Sequence, residues 1–206
     1  MIIFDMDGTI IDSSQILSST INYVRDEIGL KPLDVHSMLE KINESDTNVS
    51  KFCYGTEHFT KEQSDLFDFY FTKHYQESIR LYDNVKDMLL KLKQYFLLGI
   101  ATNAYEKTAL KMLSFLNIKQ HFDEIIGSDM VKKAKPDADM LELILHKREI
   151  KKENAIFVGD SNKDKIASQK ANISYIMVNW GFSDYEDCKI NNMKNLENRI
   201  YNTIGQ

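Results

Sequence analysis

Five short apolar runs, each nearly continuous rather than alternating, constrain this chain more than any other feature. They are Ile2-Ile3-Phe4, Phe96-Leu97-Leu98-Gly99-Ile100, Glu124-Ile125-Ile126, Ala155-Ile156-Phe157-Val158 and Tyr175-Ile176-Met177-Val178. A strand with one face in water alternates apolar and polar residues, whereas a continuous run belongs in a parallel sheet covered on both faces. Between the later runs, apolar residues recur at three-four spacing: Val85, Met88, Leu89 and Leu92; Leu110, Leu113 and Leu116; Leu141, Ile144 and Leu145. Strand–helix alternation of this kind implies right-handed crossovers and a doubly wound, Rossmann-like α/β sheet.

The stretch 14–79 breaks that rhythm with helical patterns and no convincing strand. Val35, Met38, Leu39 and Ile42 mark one amphipathic helix. Thr60 followed by Gln63 makes a capping box for another, which carries Leu66, Phe67, Tyr70, Phe71 and Tyr75. Asn43 to Asn48 reads as a loop between them. With 206 residues, the chain is long enough for a core domain carrying a smaller insert. The expected division is an α/β core of residues 1–13 and 80–206, with an all-helical module of residues 14–79.

Composition narrows the function classes. The net charge is −5, without a basic tail or stripe, so the electrostatic footprint of a nucleic-acid binder is missing. No apolar run reaches bilayer length, and Asp5 and Asp7 interrupt the only apolar start, which argues against a signal peptide. Cys53 and Cys188 have no metal-ligand spacing and read as reduced thiols of a cytoplasmic protein. The expected partner is a small molecule, with neither nucleic acid nor membrane, and the expected state a monomer or weak homodimer.

In open α/β sheets ligands bind beyond the carboxyl ends of the strands, so the polar residues just after each run are the ones that matter. The first run ends in Asp5-Met6-Asp7-Gly8-Thr9, two carboxylates aimed the same way along an extended chain, then a glycine at a turn. The second ends in Ala101-Thr102-Asn103, a hydroxyl and free amides able to hold an anion. After the third comes Lys132-Lys133-Ala134-Lys135-Pro136-Asp137, with Pro136 near a helix start. The fourth ends in Gly159-Asp160-Ser161-Asn162-Lys163-Asp164. Each has a plainer reading taken alone: solvated acids, turn formers, a basic patch, helix caps. Together they place hard carboxylate oxygens suited to Mg²⁺ beside anion donors and a nucleophile, the parts that phosphoryl transfer requires. The five histidines show no clustered spacing, which disfavours zinc.

In these motifs and their order the chain resembles the haloacid dehalogenase superfamily, specifically its phosphatases with a helical cap inserted after the first strand. Asp5-x-Asp7-Gly8-Thr9, Thr102, Lys135 and Gly159-Asp160-Ser161-x-x-Asp164 are similar to its four motifs. Asp12-Ser13 and Val178-Asn179-Trp180-Gly181 look like phosphoglycolate phosphatase relatives. The resemblance implies that Asp5 is the nucleophile and that Asp7 is the general acid and then the base. It also implies that Mg²⁺ is held by Asp5, the Asp7 carbonyl and Asp160 with support from Asp164. Thr102, the Asn103 amide and Lys135 would bind the phosphoryl oxygens. Two departures from the family pattern are Asp83-Asn84-Val85 at the cap-to-core junction and Lys170-Ala171-Asn172 after the fourth motif.

The implied substrate is a phosphoglycolate-like or sugar phosphate. Lys51 and Tyr54, expected in a loop between cap helices, are candidates to face it. The aromatic stripe from Phe67 to Tyr75 is expected to be cap core. Two alternatives compete: a sugar phosphomutase using the same aspartates, and a phospho-receiver or binding protein of another class.

Overall fold

The computed structural model describes residues 1–182 and 190–204, so Cys188 lies outside the described residues. The chain begins with β1 (Ile2–Phe4) and β2 (Ile11–Asp12), followed by α1 (Ser14–Glu27), α2 (Val35–Asn43), α3 (Val49–Tyr54) and α4 (Lys61–Ser78). β3 (Arg80–Leu81) precedes α5 (Val85–Leu92), β4 (Leu98–Ala101), α6 (Glu106–Phe115), β5 (Glu124–Ile126) and α7 (Asp139–Arg148). β6 (Ile156–Gly159), α8 (Asn162–Ala171), β7 (Ser174–Met177) and α9 (Met193–Ile204) complete it.

The five continuous apolar runs form one parallel sheet of order β5-β4-β1-β6-β7. Alternation along β1 explains why the runs are continuous, because each face has its own apolar cover. Ile2 and Phe4 point into a cluster with Leu89 of α5, Leu113 of α6 and Leu196 of α9. Ile3 points the other way, with Phe157, toward Leu141 and Ile144 of α7 and Ala167 of α8. The sheet is thus doubly covered. β1 sits at its centre, where the chain runs out through β4 to β5 and then crosses to β6 on the opposite side. That crossing opens a crevice at the carboxyl ends of the strands.

Helices α1 to α4 form a separate layer with a small apolar cluster of Ile21, Val24, Met38, Cys53 and Tyr54. Local signals fix their starts. The Asp34 side chain accepts from the Ser37 N–H, Asn48 accepts from the Lys51 N–H, and Thr60 with Gln63 forms the expected reciprocal box. Part of the aromatic stripe is packing: Phe71 and Tyr75 enter the main core, and Tyr70 stacks on Tyr23 with centroids 4.5 Å apart. Phe69 is 58% exposed.

One expectation needs correction, and two details add to the rest. Lys51 and Tyr54 lie on the short helix α3 rather than a loop, because the Asn48 cap and left-handed Gly55 bound a single stable turn and a half. Pro136 stands three residues before α7, in a turn closed by the Asp137 N–H on the Ala134 carbonyl at 3.0 Å. The sequence also gave no sign of β2 and β3. They pair antiparallel, Ile11 with Leu81 and Asp12 with Arg80, where the chain enters and leaves the helical layer. Two-residue strands carry no period to read.

Candidate active site

β1 delivers the first acids. The Asp5 N–H continues the ladder to the Val158 carbonyl at 2.8 Å, and the chain then turns at Gly8, whose φ of +84° suits glycine. The turn is closed by the Ile10 and Ile11 N–H groups on the Met6 carbonyl, both at 3.0 Å. Thr9 is buried in it, and its hydroxyl reaches Asp160 Oδ1 at 3.2 Å and Asp5 Oδ2 at 3.5 Å.

β6 delivers the other acids. Asp160 is buried, and its Oδ2 accepts from the Phe182 N–H at 3.0 Å and from Asn43 Nδ2 at 3.2 Å. Two glycines press on the same oxygen: a Cβ on Gly8 would lie 2.4 Å from it, and one on Gly181 2.3 Å. Asp164 divides its oxygens between two tasks. Oδ2 accepts from the Ser161 N–H and hydroxyl at 3.1 and 2.6 Å, closing the capping box of α8. Oδ1 is buried without an aligned hydrogen bond, although Lys135 Nζ lies 2.7 Å away.

Lys135 Nζ also lies 2.5 Å from Asp5 Oδ1, so one buried ammonium bridges the acids of two strand ends. Oxygens of Asp5, Asp160 and Asp164 all lie within 4.8 Å of one another. Burial, with Asp164 and Asp160 nearby, holds the Asp5 carboxyl well above its ordinary range despite Lys135. Burial and then Asp164 push Asp160 up to about 7. Burial alone would lower the Lys135 ammonium, but Asp164 and Asp5 together hold it above its ordinary value. With all three carboxyls ionised beside one ammonium, the cluster would carry negative charge that a divalent cation would offset.

Asp7 keeps an edge open to the cavity. Burial raises its carboxyl, and the Ser13 hydroxyl, donating at 2.5 Å, moderates the rise. Thr102 follows β4, its N–H on the Ile126 carbonyl at 3.1 Å and its Oγ1 accepting from the Ala104 N–H at 3.1 Å. Asn103 makes a paired contact with Lys135. Its Nδ2 donates to the Lys135 carbonyl and its Oδ1 accepts from the Lys135 N–H, each at 3.1 Å.

Asp5, Asp7, Thr102, Asn103, Lys135 and Asp164 therefore line one cavity, with Asp160 in the acid cluster behind it. Lys51 does not line it; it pairs with Glu57 on the surface at 2.5 Å. Tyr54 does. Sequence reasoning missed Thr9 and Ser13 as partners of the acids, and Gly181 and Asn43 as the groups that cover Asp160. Only Thr9, Ser13 and Gly181 stood in segments already marked by the motifs.

The fold agrees with the comparisons to known proteins. A family model for haloacid dehalogenase-like hydrolases matches residues 2–178, and the chain belongs to that family. Within it the chain is a phosphatase, with relatives that carry phosphatase names. Phosphoglycolate phosphatase of Yersinia pestis is 31% identical over 187 residues, covering 87% of this chain and 81% of that protein. Phosphoglycolate phosphatase of Chromobacterium violaceum is 28% identical over 189 residues, covering 88% and 85%. A solved structure, a predicted phosphatase from Clostridium acetobutylicum, is similar with a TM-score of 0.85 at 25% identity, covering 98% of this chain and 97% of that one.

Proposed function

We propose that this phosphatase hydrolyses a small phosphate monoester in a Mg²⁺-dependent reaction through phosphorylated Asp5. One observation carries the reading: Lys135 Nζ joins Asp5 Oδ1 at 2.5 Å to Asp164 Oδ1 at 2.7 Å, at the mouth of a buried acid cluster. The cluster fits Mg²⁺, because its donors are all hard oxygens, one of them buried without an aligned hydrogen bond. Asp5, the Asp7 carbonyl and Asp160 would hold the cation, with Asp164 behind them. When bound, it supplies charge that offsets repulsion between the carboxylates and the phosphate.

An Asp5 carboxylate oxygen forms a bond to phosphorus as the bond from phosphorus to the ester oxygen breaks. Asp7, whose raised carboxyl suits an acid, gives its proton to the departing alcohol oxygen. Water then attacks the same phosphorus while Asp7 takes up its proton. The phosphorus–Asp5 bond breaks, returning the carboxylate and inorganic phosphate. Lys135, the Thr102 hydroxyl and the Asn103 backbone amide donate to the phosphoryl oxygens.

Residues 14–79 act as a cap over the core of residues 1–13 and 80–206, limiting water at the reacting phosphorus. Two contacts support this: Asn43 Nδ2 on Asp160 Oδ2 at 3.2 Å, and Lys163 Nζ on the Ile42 carbonyl at 2.5 Å. The test is turnover of 4-nitrophenyl phosphate by the wild type and by Asp5→Asn, each with Mg²⁺ and with chelator. Wild-type activity should need Mg²⁺, and Asp5→Asn should be inactive while folded. Near-wild-type turnover by that variant would overturn the reading.

A further inference from the structure

The cavity above Asp5 and Asp7 has a volume of ≈ 440 Å³, inside the range of about 300–1,000 Å³ for sites that enclose a whole small molecule. Its floor is polar, built from the acids and Lys135. Its walls are mostly apolar: Leu17 and Ile21 of α1, Val49 of α3, Phe59, Phe67 of α4 and Met112 of α6 face the space, with the uncharged polar groups of Asn43, Gln63, Ser64 and Thr108 between them.

No lysine or arginine of residues 14–79 is among the described residues lining the cavity. Arg25 donates to the Cys53 and Lys31 carbonyls, Lys51 pairs with Glu57, and Lys41 pairs with Glu44. Two lysines are among the described lining residues. Lys135 is held between Asp5 and Asp164, and Lys163 donates to the Ile42 carbonyl at 2.5 Å. An acid, Asp68, lines the same cavity from α4. Against these apolar residues a second anionic group on the substrate would lose its hydration, and near Asp68 it would meet a like charge.

We infer that the alcohol part of the substrate is an uncharged apolar or aromatic group large enough to occupy this cavity, rather than a short carboxylate such as that of phosphoglycolate. The inference rests on the phosphatase reading above and adds the class of leaving alcohol. Enclosing a phenyl-sized group among these walls favours its ester by roughly tenfold to a hundredfold in kcat/KM over an ester that leaves them bare.

The experiment compares kcat/KM with Mg²⁺ for 2-phenylethyl phosphate, 2-phosphoglycolate and glycerol 1-phosphate. All three have alkyl leaving groups, so the ratio reads the cavity rather than leaving-group reactivity. 4-Nitrophenyl phosphate serves as the activated control. The phenylethyl ester should exceed both others by about tenfold or more. The same ratio should fall in Phe59→Ser, at a side chain already 54% exposed, and in Leu17→Lys, which places a cation in the wall. A 2-phosphoglycolate rate equal to or above that of the phenylethyl ester would overturn the inference while leaving the phosphatase reading in place. A ratio unchanged in both variants would also overturn it. Loss of turnover on every ester, the activated control included, would overturn the phosphatase reading itself.

Discussion

The Asn103 carboxamide is bonded twice to the backbone of Lys135, Nδ2 to its carbonyl and Oδ1 to its N–H, each at 3.1 Å. The contact ties the loop after β4 to the loop after β5, so the side chain of Asn103 fixes the position from which Lys135 reaches Asp5 and Asp164. Asn103→Ala keeps the backbone amide but removes both bonds. Each is worth about 1 kcal/mol, more where a buried partner is left unsatisfied. The expected result is a fall in kcat/KM of roughly tenfold to a hundredfold, with the melting temperature lowered by a few degrees. Wild-type kcat/KM in this variant would show that Lys135 is positioned by other contacts.

Gly181 lies against Asp160 so closely that an added methyl has no room, 2.3 Å from Oδ2 and 2.4 Å from the Gly8 carbonyl. Its backbone is not left-handed, so Gly181→Ala tests contact alone rather than strain. The carboxylate should be displaced from the acid cluster. The Mg²⁺ concentration for half-maximal activity should rise by about 10–100-fold, the usual penalty for disturbing the groups that orient a metal ligand. An unchanged Mg²⁺ requirement would remove Asp160 from the metal site.

Where the sequence was legible and where it was not follows from the range of the interactions. β1 and β6 are apolar because both sheet faces are covered, and that property is printed in every residue of the run. Asp5, Asp7 and Asp160 follow those runs directly and Asp164 stands in the first turn of the next helix, so strand ends and one helix start were enough to bring them together. The Asn103–Lys135 clamp spans 32 residues between two loops, and Asn43 reaches Asp160 across 117. Neither contact has a local pattern. Lys51 misled for a related reason: its charge is visible in the sequence, but its partner Glu57, lying past the Gly55 turn, draws it away from the cavity.

The metal-free protein should lose stability as pH rises from 5 to 8. Burial and Asp164 hold Asp160 up to about 7, against an ordinary value of 3.8. A carboxyl raised in the folded state binds its proton more tightly there. Its stabilisation is therefore full below the unfolded value and is lost as pH rises through the folded one. The slope for one such group reaches about 1.4 kcal/mol per pH unit. Bound Mg²⁺ favours the charged carboxylates and should flatten the dependence. Melting temperatures across that range, with chelator and with Mg²⁺, measure the difference, and the comparison cancels groups remote from the acids, such as His121. A metal-free melting temperature that is constant or rises relative to the Mg²⁺ form would contradict the proposed charge state.

Asp7→Asn should separate the two halves of the reaction. Its carboxyl, held by the Ser13 hydroxyl at 2.5 Å, is proposed as the acid of the first step and the base of the second. The group proposed to face the metal is its backbone carbonyl, so Mg²⁺ binding should survive the change. Nitrophenolate leaves with little help from an acid, and Asp5 should still be phosphorylated by 4-nitrophenyl phosphate, although more slowly. Water then lacks its base, and the phosphorylated Asp5 should accumulate. Rapid mixing should show nitrophenolate release approaching one equivalent per enzyme, followed by a much slower steady rate. Alkyl phosphates should lose the first step as well, since an alkoxide is a poor leaving group without a proton. A variant that binds Mg²⁺ normally, shows no burst, and loses activity equally on aryl and alkyl esters would deny Asp7 both roles.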